Sequence, residues 1–154
     1  MSELRRIVDQ LERAFEGRAW SGPALREVLE GVTAERAAAN PIPGAHSIWE
    51  LVLHVAAWED VVRRRLGGET VELTEEENFP AVPDASAKAW KAALAKLEAG
   101  NRALRETIAR YDAARLDAPL DRQRSTAYIL MHGAIQHDLY HAGQIALLRK
   151  GRPA

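Results

Sequence analysis

The sequence predicts an all-α protein built as a four-helix bundle. Apolar residues recur at helical spacing in four long blocks. Proline and glycine clusters separate those blocks. No stretch alternates apolar with polar residues as a half-buried strand would. At 154 residues, the chain has the length for one domain with one core, taken as residues 1–154.

The first block runs from about Ser2 to Phe15, with Leu4, Ile7, Val8, Leu11 and Phe15 on one face. Gly17 and Ser21-Gly22-Pro23 interrupt it, and Trp20 is expected to anchor the bend. Shorter helical pieces follow over Pro23–Glu30 and Thr33–Ala39. "NPIPG", residues 40–44, stops helix formation, because each proline lacks a backbone N–H and restricts the residue before it. Ser47 and Glu50 then have the spacing of a capping box, which starts a second long helix running to about Leu66. Gly67 and Gly68 end it. The connection from Gly67 to Pro83 is long for a bundle, and is expected to cross one end or to act as a lid. The third helix is predicted over Asp84–Tyr111. Its seam of Trp90, Leu94, Leu97, Asn101, Leu104, Ile108 and Tyr111 alternates steps of four and three, the spacing of left-handed bundle packing. The fourth starts near Ser125 or Thr126 and continues to Lys150, with Gly151 and Pro153 beyond it.

Composition narrows the function. The apolar fraction of 47% and charged fraction of 28% are those of an ordinary globular chain. A formal charge of −1 gives no overall attraction to nucleic acid. The 67–83 connection carries Glu69, Glu72, Glu75, Glu76 and Glu77 without a single base, which argues further against a phosphate-binding surface. There is no cysteine, which excludes disulfides, cysteine–zinc sites and thiol nucleophiles. "MSELRRIVDQLERAF" lacks the apolar core of a signal peptide, and no window has the length of a membrane span, so a cytoplasmic protein without membrane partners is expected.

The chemistry lies in "HGAIQHDLYHAGQIALLRK", residues 132–150. His137 and His141 are four apart, so on a helix their imidazoles stack on one face and can converge on one ion. A third ligand is needed. His54, flanked by Leu51, Val55 and Trp58, sits on the inward side of the second long helix, where it can face the other two. Three neutral imidazoles leave coordination positions for water or substrate, the mark of a reactive site. The competing reading is three unrelated core histidines, each bonded to a carbonyl or carboxylate. Burial of unmatched imidazoles disfavours it, because each unpaired polar group is costly. His46 lies near a bundle end and His132 about 140° around the helix from His137, so both are left out of the ligand set.

"HDLYH" is not a zinc-protease motif: Asp138 stands where the glutamate base is required, and no downstream ligand follows. Asp138 is left either accepting from a histidine or facing solvent. Tyr140, Gln144 and Asn101 are candidates for presenting polar groups to substrate or bound water. Glu50 either orients His54 or is spent on capping. Trp58 is expected to wall a pocket, and Gly133 and Gly143 to allow close helix approach or room for a ligand.

"SIWELVLHVAAWE", residues 47–59, with "IQHDLYHAGQIALLRK", residues 135–150, resembles the DinB-like superfamily, which includes the YfiT-like metal-dependent hydrolases. "LERAFEGRAWSGPALREVL" and "IPGAHS" extend the resemblance over nearly the whole chain. It implies an up-down-down-up four-helix bundle, often a homodimer. It also implies a divalent ion (nickel, zinc, iron or manganese) held by His54, His137 and His141. Some relatives are thiol S-transferases that use bacillithiol, and distant ones isomerise maleylpyruvate with mycothiol. Two readings stay open. One is a metal-dependent thiol S-transferase or hydrolase acting on a small molecule, with the thiol supplied by a low-molecular-weight cosubstrate. The other is a non-catalytic, metal-stabilised dimeric protein.

Overall fold

The computed structural model describes residues 1–82, 84–120 and 125–151. Pro83 and Pro153, expected to bound the acidic connection and the last helix, lie outside the described residues, as do the last positions of the 1–154 unit. Four long helices carry the fold: α1 (Glu3–Glu16), α4 (Ile48–Leu66), α6 (Ala87–Ala109) and α7 (Ala127–Leu148). Shorter ones lie between: α2 (Leu25–Leu29), α3 (Ala34–Ala38) and α5 (Glu75–Asn78), with a 3-10 turn at Ala113–Arg115. The chain is all-α, and each long helix is shorter by one to three residues at its start than the sequence suggests. The reason is the same throughout. Ser2, Ser47, Ser86 and Thr126 stand in extended backbone just before their helices, and each side-chain oxygen accepts an N–H of the first turn. At Ser47 the box is complete, with Glu50 accepting in return from the Ser47 N–H at 2.7 Å. Glu50 is therefore spent on capping.

α4 packs against α6 and α7, and α1 against the other flanks of both. The tilted ring pair Trp49–Trp90 joins the starts of α4 and α6, and Glu59 meets Asn101 farther along, so these two helices run parallel. His54 faces His141 while Val62 shares a cavity wall with Leu130 and Ala134, so α4 and α7 run antiparallel. The short α2 and α3 close one end. Arg149 donates to the Val28 carbonyl at 2.8 Å, and Arg36 donates to the Arg149 carbonyl at 2.7 Å and to that of Gly151, covering backbone acceptors that the end of α7 leaves free. Trp20 anchors nothing: it is fully exposed, because the bend after α1 is made by backbone, with Arg18 at φ 67° and Gly22 at φ 143°.

The core has two apolar halves. One gathers Phe15, Leu25, Ile48, Val52, Trp90, Leu97 and Ile145, the other Leu4, Leu11, Val62, Leu104, Ile108 and Met131. Side chains at the level between them are polar. Asn101, the one polar residue of the α6 seam, is fully buried and donates to Glu59 Oε1 at 2.6 Å, with Asp138 equally buried beside them.

Candidate metal centre

α4 and α7 bring three imidazoles together. His137 Nε2 lies 3.0 Å from His54 Nε2 and 3.1 Å from His141 Nε2, and the three ligand atoms fall within 4.8 Å of one another. Among the described residues, this is the only group of three or more such side chains arranged to hold an ion. His54 and His141 are buried and His137 half-buried.

The opposite ring nitrogens explain why the Nε2 atoms turn inward. His54 Nδ1 lies 2.6 Å from the backbone carbonyl of Asn78, which can only accept, so Nδ1 carries the proton. His141 Nδ1 is 2.6 Å from Gln144 Oε1, which imposes the same tautomer. Both Nε2 atoms then present lone pairs. A proton on His137 Nε2 could serve just one of them, whereas a divalent cation would serve all three. With nitrogen–metal bonds of about 2.0–2.1 Å, nitrogens 3.0 Å apart subtend roughly a right angle at the ion, a separation that a common cation accommodates.

Charge agrees with geometry. Burial, aided by the neighbouring His141 and His54, pushes His137 down to about 3. Burial also lowers His54 and His141, against the raising effect of their Nδ1 partners. All three are neutral at neutral pH, the form a metal ligand requires.

The 67–83 connection contributes more than a cover. The Asn78 carbonyl orients His54, and its side-chain oxygen accepts from Trp58 Nε1 at 2.7 Å. Phe79 lies face to face with His54, ring centroids 4.1 Å apart, and stacks on His46 from its other side at 3.8 Å. Neither residue is singled out by the sequence reading. The available signal is Thr74 with Glu77, a second capping box that makes residues 75–78 a helical turn.

His46 and His132 stand outside the cluster, the latter against the Tyr128 ring at 4.3 Å. Gln144 orients a histidine. Asn101 is turned into the core against Glu59. Tyr140 is largely exposed, its ring edge against His141. Asp138 neither faces solvent nor bonds a histidine: it is buried against Glu59. Burial raises Glu59 to about 8 and Asp138 well above its usual range, so the pair is not fully ionised near neutrality.

A cavity of about 240 Å³ reaches His137 between α4 and α7, lined by Trp58, Val62, Ile129, Leu130 and Gly133 among others. Its walls are almost wholly apolar. A larger one, about 440 Å³, lies between α1, α2 and α6 and contains none of the histidines. No helix among the described residues is long and apolar enough to cross a membrane.

No curated protein and no solved structure matches the chain. A family model does: that of the DinB superfamily, over residues 19–145, a span that includes α4, the Asn78–Phe79 contact and all three converging histidines. The chain belongs to the DinB superfamily.

Proposed function

We propose that this protein holds a divalent metal ion through the Nε2 atoms of His54, His137 and His141, and acts as a metal-dependent thiol S-transferase or hydrolase. The observation that carries the reading is the convergence of three neutral imidazoles, two of which, His54 and His141, have their protonated nitrogens engaged elsewhere, by Asn78 and Gln144. Nickel, zinc, iron and manganese all suit imidazole, and availability selects among them as much as affinity does. When bound, the ion supplies Lewis-acid chemistry, lowering the pKa of a thiol or water and polarising an electrophile.

The chain's own part is to position and to exclude water. Asn78, Gln144 and the Phe79 stack hold the imidazoles in register. The cavity beside His137 offers a substrate an apolar enclosure of about 240 Å³, with the Trp58 ring on one wall. The chain has no cysteine, so the nucleophilic thiol comes with a low-molecular-weight cosubstrate, and the electrophile's apolar portion occupies the cavity. That cavity favours an enzyme over a closed structural centre, which would have no path to its ligands.

The test is metal analysis of gently purified protein and of His54→Ala, alongside a thiol-transfer screen with bacillithiol-like and mycothiol-like cosubstrates. Near-stoichiometric metal is expected in the wild type, falling at least tenfold in the variant. Full retention of metal by His54→Ala would remove that residue from the ligand set. Metal without turnover across the screen would turn the reading to the non-catalytic, metal-stabilised protein.

A further inference from the structure

Two of the three converging histidines have both ring nitrogens engaged. His54 Nδ1 donates to the Asn78 carbonyl and His141 Nδ1 to Gln144 Oε1, each at 2.6 Å, and both Nε2 atoms turn to the centre. His137 differs. Its Nε2 lies beside those of the other two, and no polar group of the described residues meets its Nδ1. A histidine on a metal nearly always donates its second N–H to a carbonyl, a carboxylate or water. Here the chain supplies no such acceptor. Nor is this nitrogen sealed in the core: the buried polar atoms without partners include Nε2 of His132 but neither nitrogen of His137.

Of the three, His137 is also the one that lines the cavity of about 240 Å³. The other polar side chains of that wall are engaged or turned away. Trp58 Nε1 donates to Asn78, Glu59 Oε1 accepts from Asn101, and Glu59 Oε2 and both Asp138 oxygens are buried. The main-chain groups of the two walls are bonded within α4 and α7. Apart from apolar surface, what the cavity presents to a guest is therefore His137 Nδ1.

Whether that atom donates or accepts is set by the other nitrogen of its ring. In the metal-free protein, the lone pairs of His54 and His141 face His137 Nε2. That nitrogen satisfies one of them by carrying the ring's proton, which leaves Nδ1 an acceptor. With Nε2 bonded to an ion, the neutral ring keeps its proton on Nδ1, which becomes a donor. No hydrogen ion is gained or lost; the proton changes nitrogen.

We propose that His137 Nδ1 orients the substrate, and that the metal-loaded cavity selects an uncharged, apolar molecule whose carbonyl oxygen accepts from it. This ligand class rests on metal binding by the three histidines. A carbonyl oxygen can only accept, so it suits the metal-loaded tautomer alone, whereas a hydroxyl suits both. A charged guest is disfavoured by the apolar walls, which would strip its water without replacing it.

Nitrogen NMR on protein with isotope-labelled histidine reads the tautomers through the carbon-bound ring protons. His137 should carry its proton on Nε2 in chelator-stripped protein and on Nδ1 in zinc-loaded protein. His54 and His141 should be protonated at Nδ1 in both. Binding is then followed with acetophenone and with α-methylstyrene, which has the same shape but a methylene carbon in place of the oxygen. Zinc-loaded protein should bind acetophenone about fivefold more tightly, as one net hydrogen bond gives, and the Nδ1 signal of His137 should move with it. Stripped protein should show no preference. A shift confined to the three Nε2 signals would put the carbonyl on the zinc and overturn the proposal. So would an Nδ1 proton on His137 in stripped protein, equal binding of the two probes with zinc, or a preference that survives stripping. Each of these leaves zinc uptake, and with it the metal reading, intact. A protein that takes up no zinc overturns both.

Discussion

Asn78 serves two residues one helical turn apart: its carbonyl takes the His54 proton, its side chain that of Trp58. The two roles separate on substitution. Asn78→Ala keeps the carbonyl, so metal content should stay near that of the wild type, while the lost Trp58 bond should cost about 1 kcal/mol in thermal unfolding. Loss of metal in Asn78→Ala would show that the side chain, and not the backbone, sets the imidazole. Residues of this kind are hard to read in a sequence. Spacing puts His137 over His141, and burial pattern turns His54 inward, so the ligands are legible. A backbone carbonyl delivered from 24 positions away leaves no trace in residue type. Asn101 shows the converse. Its polarity in an apolar seam was visible, but not the carboxylate of α4 that it serves.

Among the elements, the helix starts were legible because capping chemistry is local. Ser47 with Glu50 marks the start of α4, and Ser47→Ala should cost about 1 kcal/mol and lower the melting temperature accordingly. The same signal at Thr74 and Glu77 passes for loop, since a helix of four residues shows no apolar periodicity. Yet α5 is what delivers Phe79 into the gap between His46 and His54. Phe79→Ala removes that ring from both. It should weaken metal affinity on the order of tenfold by letting the His54 imidazole turn, measured by competition with a chelator. An unchanged affinity would reduce Phe79 to packing alone.

Across the whole molecule, two sets of buried groups set opposite pH limits. The histidines of the metal-free protein have native values below the ordinary 6.5, so their contribution is complete above 6.5 and is lost as pH falls toward about 3 for His137. Glu59 has a native value of about 8 against an ordinary 4.5, so its contribution is complete below 4.5 and is lost as pH rises through 8. The metal-free protein should therefore be most stable between about pH 4.5 and 6.5. Glu59→Gln, which cannot ionise, should flatten the alkaline limb, and melting temperatures across pH would show it. A limb unchanged by the substitution would place the loss elsewhere. This polar level between the two apolar halves was only partly legible, because Asp138 is left open in the sequence between a histidine and solvent, and nothing there pairs it with Glu59 until α4 and α7 are brought face to face.

Because the three imidazoles are already uncharged, filling the centre displaces no hydrogen ion into solution. The heat evolved on titrating a divalent cation into the chelator-stripped protein at neutral pH should then be identical in two non-coordinating buffers whose own ionisation enthalpies differ. A heat that tracks the buffer would mean that at least one ring arrives as imidazolium.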